Sequence, residues 1–205
     1  MRIGIVDYGM GNLASVSRAL DLVGHESFIA TAPDQIDTTI RLVLPGVGAF
    51  GEAMTRLSAG GWIDALHAFV ARDRTRLLGI CLGMQLLSDR GFEHGDTPGL
   101  GYIGGRIRNL RDLGVTERVP HVGWNSAHLR RADRVLGGIP DGTDFYFVHS
   151  FGFEVDDPAD LVATTPYGID VTAIVRRGAV WGTQFHPEKS SKAGLRLLKN
   201  FVEAA

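Results

Sequence analysis

The chain is expected to fold as an α/β protein in which a central, mostly parallel mixed sheet is flanked by helices and extended by antiparallel strands in the second half. Three observations carry that expectation. Short apolar strands alternate with helical patterns over the first half, the signature of a parallel sheet. Strand-like pieces then follow one another without helices between them. Between the two halves, residues 77–85 (Leu-Leu-Gly-Ile-Cys-Leu-Gly-Met-Gln) join an apolar strand to a helix through Gly79-x-Cys81-x-Gly83. That spacing has the form of a nucleophile elbow, in which small residues on either side permit a strained turn that exposes the central side chain.

In order, residues 2–6 read as a buried strand ending at Asp7-Tyr8-Gly9-Met10-Gly11-Asn12. Asn12 can cap a helix over residues 13–23, which Gly24 closes. Strands follow at 26–30 and 41–44, the second running into Pro45-Gly46-Val47-Gly48-Ala49-Phe50-Gly51, and helices at 52–57 and 62–71. After Cys81 a helix begins at Met84. Beyond it, β-rich pieces appear near 102–107, 118–122, 145–148, 161–164 and 171–175, and Gly178 turns the chain into a last strand over 179–185. His186-Pro187-Glu188-Lys189 leads to a final helix that Ser190 or Ser191 can cap, with Leu195, Leu198, Phe201 and Val202 as its buried stripe.

A chain of 205 residues suits one domain over residues 1–205, with no repeat or linker to divide it. Hydrophobic content of 44% and charged content of 21% are ordinary for a globular protein, and 27 glycines point to many tight turns. A net charge of −2 argues against nucleic acid as a partner, because phosphate binding needs a basic excess. The single cysteine excludes an internal disulfide and suits a reducing compartment. The longest stretch without Asp, Glu, Lys or Arg, residues 77–88, is too short to span a bilayer, and Asp7 interrupts the N-terminal apolar run before it could serve as a signal peptide. A cytoplasmic protein without a membrane partner is expected. One cysteine and scattered histidines offer no ligand pair at zinc spacing, so no metal and no cofactor is assigned.

Three places can carry chemistry. At a helix start, free backbone N–H groups and the helix dipole stabilise a thiolate and can hold an oxyanion, which makes Cys81 a candidate nucleophile. A free cysteine is otherwise a small core hydrophobe. The segment Gly46-x-Gly48-x-x-Gly51 satisfies the letter of the dinucleotide-binding fingerprint, but that motif follows the first strand of its unit and needs an acidic residue on the next strand, about 20 residues on. Asp64 falls near that distance inside an expected helix. Such a loop can instead lend N–H groups to a reacting carbonyl, or be a plain turn. Finally, His186 and Glu188 flank Pro187, so an i, i+2 pair can let a carboxylate orient an imidazole. The chain offers six other histidines, His25, His67, His94, His121, His128 and His149; what favours His186 is its place at the end of a strand, in a turn next to a carboxylate, where reacting groups of open α/β sheets gather. The aromatic cluster of Phe145, Tyr146, Phe147, Phe151 and Phe153 reads as core, or as a partner-facing surface.

Residues 79–85 together with Phe185-His186-Pro187-Glu188 resemble the signature pair of the class I glutamine amidotransferases. The likeness runs nearly end to end. Stretches 7–12, 44–48, 121–125 (His-Val-Gly-Trp-Asn) and 146–150 (Tyr-Phe-Val-His-Ser) are similar to members that work with a (β/α)8-barrel cyclase subunit in histidine biosynthesis. The resemblance implies an α/β domain built around a triad of Cys81, His186 and Glu188 that hydrolyses glutamine to glutamate and ammonia and passes the ammonia to that partner. It implies an oxyanion site from backbone N–H groups of Leu82 and of the Val47-Gly48 stretch, the latter after a peptide reorients. It also implies that Gly46, Gln85, Glu93, His149 and Ser150 help hold glutamine, and that Met10, Asn12, Trp124 and Lys189 face the partner or gate the ammonia passage. Coupling to the cyclase's ligand would leave the chain alone with little activity. For Trp124 the alternative is a core aromatic, and for Lys189 a solvated charge. Two other readings of the whole chain are the glutaminase subunit of another amidotransferase, against which residues 7–12 and 121–125 count, and a non-catalytic interaction module, against which the intact triad counts.

Overall fold

A computed structural model describes residues 2–203. The first half alternates as expected: β1 (Ile3–Val6), α1 (Leu13–Leu22), β2 (Ser27–Ala30), β3 (Arg41–Gly46), α2 (Phe50–Ala59), α3 (Trp62–Ala71), β4 (Arg76–Cys81) and the short α4 (Leu82–Gln85). The second half is strand-rich: β5 (Arg90–Gly91), β6 (Thr97–Pro98), β7 (Gly105–Asn109), β8 (His121–Leu129), β9 (Thr143–His149), β10 (Phe151–Val155), β11 (Leu161–Tyr167), β12 (Ile169–Arg177) and β13 (Val180–Thr183), then α5 (Ser191–Glu203). Among the described residues the main sheet has the order β2-β1-β3-β4-β13-β12-β11-β8-β9. From β2 to β13 neighbours run parallel, and from β13 to β9 they run antiparallel. A smaller sheet takes the order β10-β7-β5-β6.

Strands β1, β3 and β13 are buried at every position, as parallel strands covered on both faces must be. Alternation sorts their side chains. Val43, Leu78, Ile80 and Trp181 pack with α1 and α5, whereas Leu42, Leu44, Leu77 and Val180 pack with α2, α3 and the inner side chains of the smaller sheet. At the antiparallel end one face is wetter, and β9 alternates buried and part-exposed residues.

Four expectations need correction. Helix α4 starts at Leu82, directly after Cys81, and not at Met84. The stripe of α5 is Gly194, Leu197, Leu198, Phe201 and Val202, the i, i+3, i+4, i+7, i+8 set; Leu195 is only partly buried at its margin. Strand β8 begins at His121, after Pro120, which has no N–H to give a ladder, and extends to Leu129. Strand β10 was not expected: it pairs with β7 and places Phe153 in the core. No helix among the described residues is long and apolar enough to cross a membrane.

Candidate active site

Cys81 is the last residue of β4 and the residue before α4, with φ 54° and ψ −111°. A non-glycine residue in such a conformation stores on the order of 1–3 kcal/mol of strain, which the surroundings must hold in place. The flanking glycines supply the clearance. A Cβ on Gly83 would lie 1.8 Å from the Leu44 carbonyl oxygen, and one on Gly79 would lie 2.5 Å from the Gly83 carbonyl oxygen. Gly46 pairs with Cys81 across the sheet, and a Cβ there would sit 2.5 Å from the Tyr8 hydroxyl.

The neighbouring parallel strand β13 delivers the second group. Its Thr183 pairs with Ile80, so the turn after it brings His186 to the same cavity as Cys81, within electrostatic reach of its sulfur. His186 Nδ1 meets Glu188 Oε1 at 2.7 Å, with both side chains almost fully buried. Burial alone would lower the His186 pKa, but the nearby Cys81 sulfur, the hydrogen bond to Glu188 and the negative charge of both outweigh it, raising the value from 6.5 to about 9. The turn is braced from two sides: Ser190 Oγ donates to the His186 carbonyl at 2.6 Å and accepts from Tyr146 N at 3.0 Å, while Gly194 of α5 lets the helix lie against the Pro187 carbonyl. The hydroxyl of Ser190, expected as a helix cap, is spent on this brace.

Cys81 and His186 open on a cavity of about 400 Å³. Val47, Gly48 and Leu82 line it on the elbow side, Gln85, Glu93, His149 and Ser150 on the others, and Lys189 also borders it. Gly48 has φ 113°, and a Cβ there would collide with Met10 Cε, so Met10 lies buried against the loop. Glu93 Oε2 accepts from Phe50 N at 2.7 Å, giving α2 the side-chain cap that Ala49 cannot. Gln85 Nε2 donates to the Phe151 carbonyl at 3.2 Å and to Gln184 Oε1 at 3.1 Å, so only its Oε1 remains to meet a ligand. Both ring nitrogens of His149 are likewise engaged inside the protein, Nδ1 with the Phe151 carbonyl at 2.8 Å and Nε2 with His121 Nδ1 at 3.0 Å.

Asn12 and Trp124 lie outside this cavity. Asn12 is exposed, and its Oδ1 accepts from Ser15 N at 3.2 Å, the expected helix cap. Trp124 is no core aromatic: it is 54% exposed on β8, edge-on to Tyr146. Lys189 is exposed. Sequence reasoning missed Pro120, Val148 and Phe151 in the cavity wall, and Gln184 beside the sulfur. For Gln184 a signal existed: it is a polar residue inside the apolar run that leads to His186.

The sequence matches the family described as glutamine amidotransferase class-I over residues 4–205. The chain belongs to that family. Its relatives include the "Imidazole glycerol phosphate synthase subunit HisH" of Desulfitobacterium hafniense, 45% identical over 199 residues that cover 97% of this chain and 92% of the relative. The protein of the same name from Brucella abortus is 42% identical over 213 residues, covering 99% of each chain. Among solved structures, that of PurLQS from Thermotoga maritima superposes with a TM-score of 0.77 at 18% identity, covering 98% of this chain and 97% of that one, which speaks for a shared fold. The sequence relatives thus place this amidotransferase in the family of proteins that carry the HisH name.

Proposed function

We propose that this amidotransferase domain hydrolyses glutamine through Cys81, His186 and Glu188 and hands the ammonia to a (β/α)8-barrel cyclase subunit, which uses it to form imidazole glycerol phosphate and AICAR in histidine biosynthesis. The observation that carries the reading is the cysteine held in strained geometry at the carboxyl end of β4, sharing its cavity with a histidine whose Nδ1 is fixed by a buried glutamate. With Nδ1 engaged by Glu188, His186 takes the thiol proton and holds it as an imidazolium, and the Cys81 thiolate attacks the carboxamide carbon. Backbone N–H groups of Leu82 and of the Val47-Gly48 segment receive the oxyanion; loss of one such donor costs about 3 kcal/mol of barrier. The C–N bond then breaks as His186 returns the proton to the leaving ammonia. Water, deprotonated by His186, opens the glutamyl thioester and frees glutamate.

Ammonia is mostly protonated near neutral pH and so needs a sheltered route to its acceptor. The exposed apolar side chains of Val47, Val122 and Trp124 suit a partner surface, and Val47 also lines the cavity. In this reading Met10, Asn12, Trp124 and Lys189 lie toward the cyclase. The test is glutamate release from glutamine by the chain alone and with a cyclase subunit and its nucleotide ligand. Strong stimulation by the partner, abolished in Cys81→Ala, is expected. Equal activity without the cyclase would move the chain to another pathway, and no activity in any mixture would leave a binding module.

A further inference from the structure

Beside the sulfur lies a side chain to which the triad assigns no task. Gln184 is fully buried, and its Nε2 donates to Cys81 Sγ at 3.8 Å. Its orientation is dictated: Gln85 Nε2 donates to Gln184 Oε1, which turns the amide nitrogen of Gln184 toward the sulfur. The other proton of that Gln85 amide goes to the Phe151 carbonyl, which also receives His149 Nδ1. His149 Nε2 meets His121 Nδ1, and Asn125 Nδ2 meets His121 Nε2 at 3.2 Å.

Asn125 sets the direction of this chain. Its Oδ1 accepts from Ser126 N at 2.9 Å and its Nδ2 donates to the Pro166 carbonyl at 2.7 Å, so what it presents to His121 Nε2 is a donor. His121 must then carry its proton on Nδ1 and donate to His149, and His149 must carry its own on Nδ1 and donate to Phe151. Each link is satisfied in one sense only. A proton added to either ring would set two N–H groups against each other, and burial keeps both imidazoles neutral, with pKa values lowered to about 4 for His121 and about 3 for His149. The His121 ring is held between Tyr167, 4.0 Å away centroid to centroid, and Phe147 at 4.8 Å.

We propose that Gln184 is a positioning residue that aims its amide N–H at the sulfur of Cys81, that Gln85 fixes that aim, and that Asn125, His121 and His149 hold in place, from β8, the Phe151 carbonyl on which the Gln85 amide is anchored. The proposal rests on Cys81 being the nucleophile of the reading above. A donor aimed at a buried sulfur favours its anionic form.

The test is the rate at which iodoacetamide alkylates the single cysteine of the full chain, followed from acidic to alkaline pH, with melting temperature as the check on folding. It needs neither glutamine nor the cyclase. Gln184→Met, which keeps the length and removes the donor, is expected to slow alkylation at neutral pH about tenfold and to move the half-maximal rate to higher pH. Asn125→Asp presents an acceptor to His121, reverses the donors through His121 and His149 and so turns a lone pair of His149 on the Phe151 carbonyl that anchors Gln85; a drop of about threefold is expected. Unaltered profiles in a folded Gln184→Met overturn the role of Gln184, and an unaltered profile in Asn125→Asp overturns the chain. Because these profiles are read on the protein alone, identical curves would overturn the inference with glutaminase activity intact, whereas failure of glutamate release would not move them.

Discussion

Glu188 meets the reaction only through His186, and its surroundings say what its loss would do. Its Oε1 holds the imidazole at 2.7 Å, and its Oε2 is buried with no hydrogen-bond partner among the described residues. So much desolvated negative charge is sustained by the imidazolium beside it. Glu188→Gln keeps the shape and removes the charge, and kcat for glutamine hydrolysis is expected to fall at least about a hundredfold with KM nearly unchanged, read by steady-state glutamate release. The pH dependence has a definite sign. His186 binds its proton more tightly in the folded chain, about 9 against 6.5, so the stability it contributes is complete below pH 6.5 and is lost as pH rises through 9. The advantage in melting temperature of the unaltered chain over Glu188→Gln should therefore be greatest near pH 6 and fade in alkaline buffer.

Helix α4 and strands β3 and β4 form the elbow as a unit, and their glycines are its tightest joints. Gly83→Ala would drive a methyl group into the Leu44 carbonyl, so β3 must part from α4. A loss of at least about 3 kcal/mol, seen as a lower denaturant midpoint, and loss of the cavity's reactivity are expected. These joints were legible in the sequence because their spacing is local, as was the Glu188 carboxylate two residues from His186. The parallel strands were legible too, since strands buried on both faces read as continuous apolar runs. What stayed hidden depends on contacts between distant segments. The extent of β8 is set by pairing with β9 and β11 through polar residues such as Asn125 and His128. The capping of α2 comes from Glu93 across the cavity, and no pattern around Phe50 announces it. Gln184 could be placed beside Cys81 only once β13 was known to lie next to β4.

Across the whole molecule, the antiparallel half is tied to the parallel half partly by Asp133. Its side chain is fully buried, accepts from Trp181 Nε1 of β13 at 3.1 Å and from Arg176 of β12 at 3.0 Å, and caps the turn at Val135. Asp133→Ala would leave the Trp181 N–H and a mostly buried guanidinium without that acceptor, so a cost of about 3 kcal/mol and a melting temperature lower by roughly 10 °C are expected, with activity per folded molecule preserved. The sheet's larger consequence is that β4 and β13 become neighbours and set Cys81 against His186. The direct test of that arrangement is to expose the chain, with its cyclase partner, to a diazoketone analogue of glutamine and to weigh the peptide of residues 77–90. One adduct on Cys81, suppressed by excess glutamine and absent from His186→Ala, is the expected result. An adduct on another residue, or none where glutamine is still hydrolysed, would contradict Cys81 as the nucleophile.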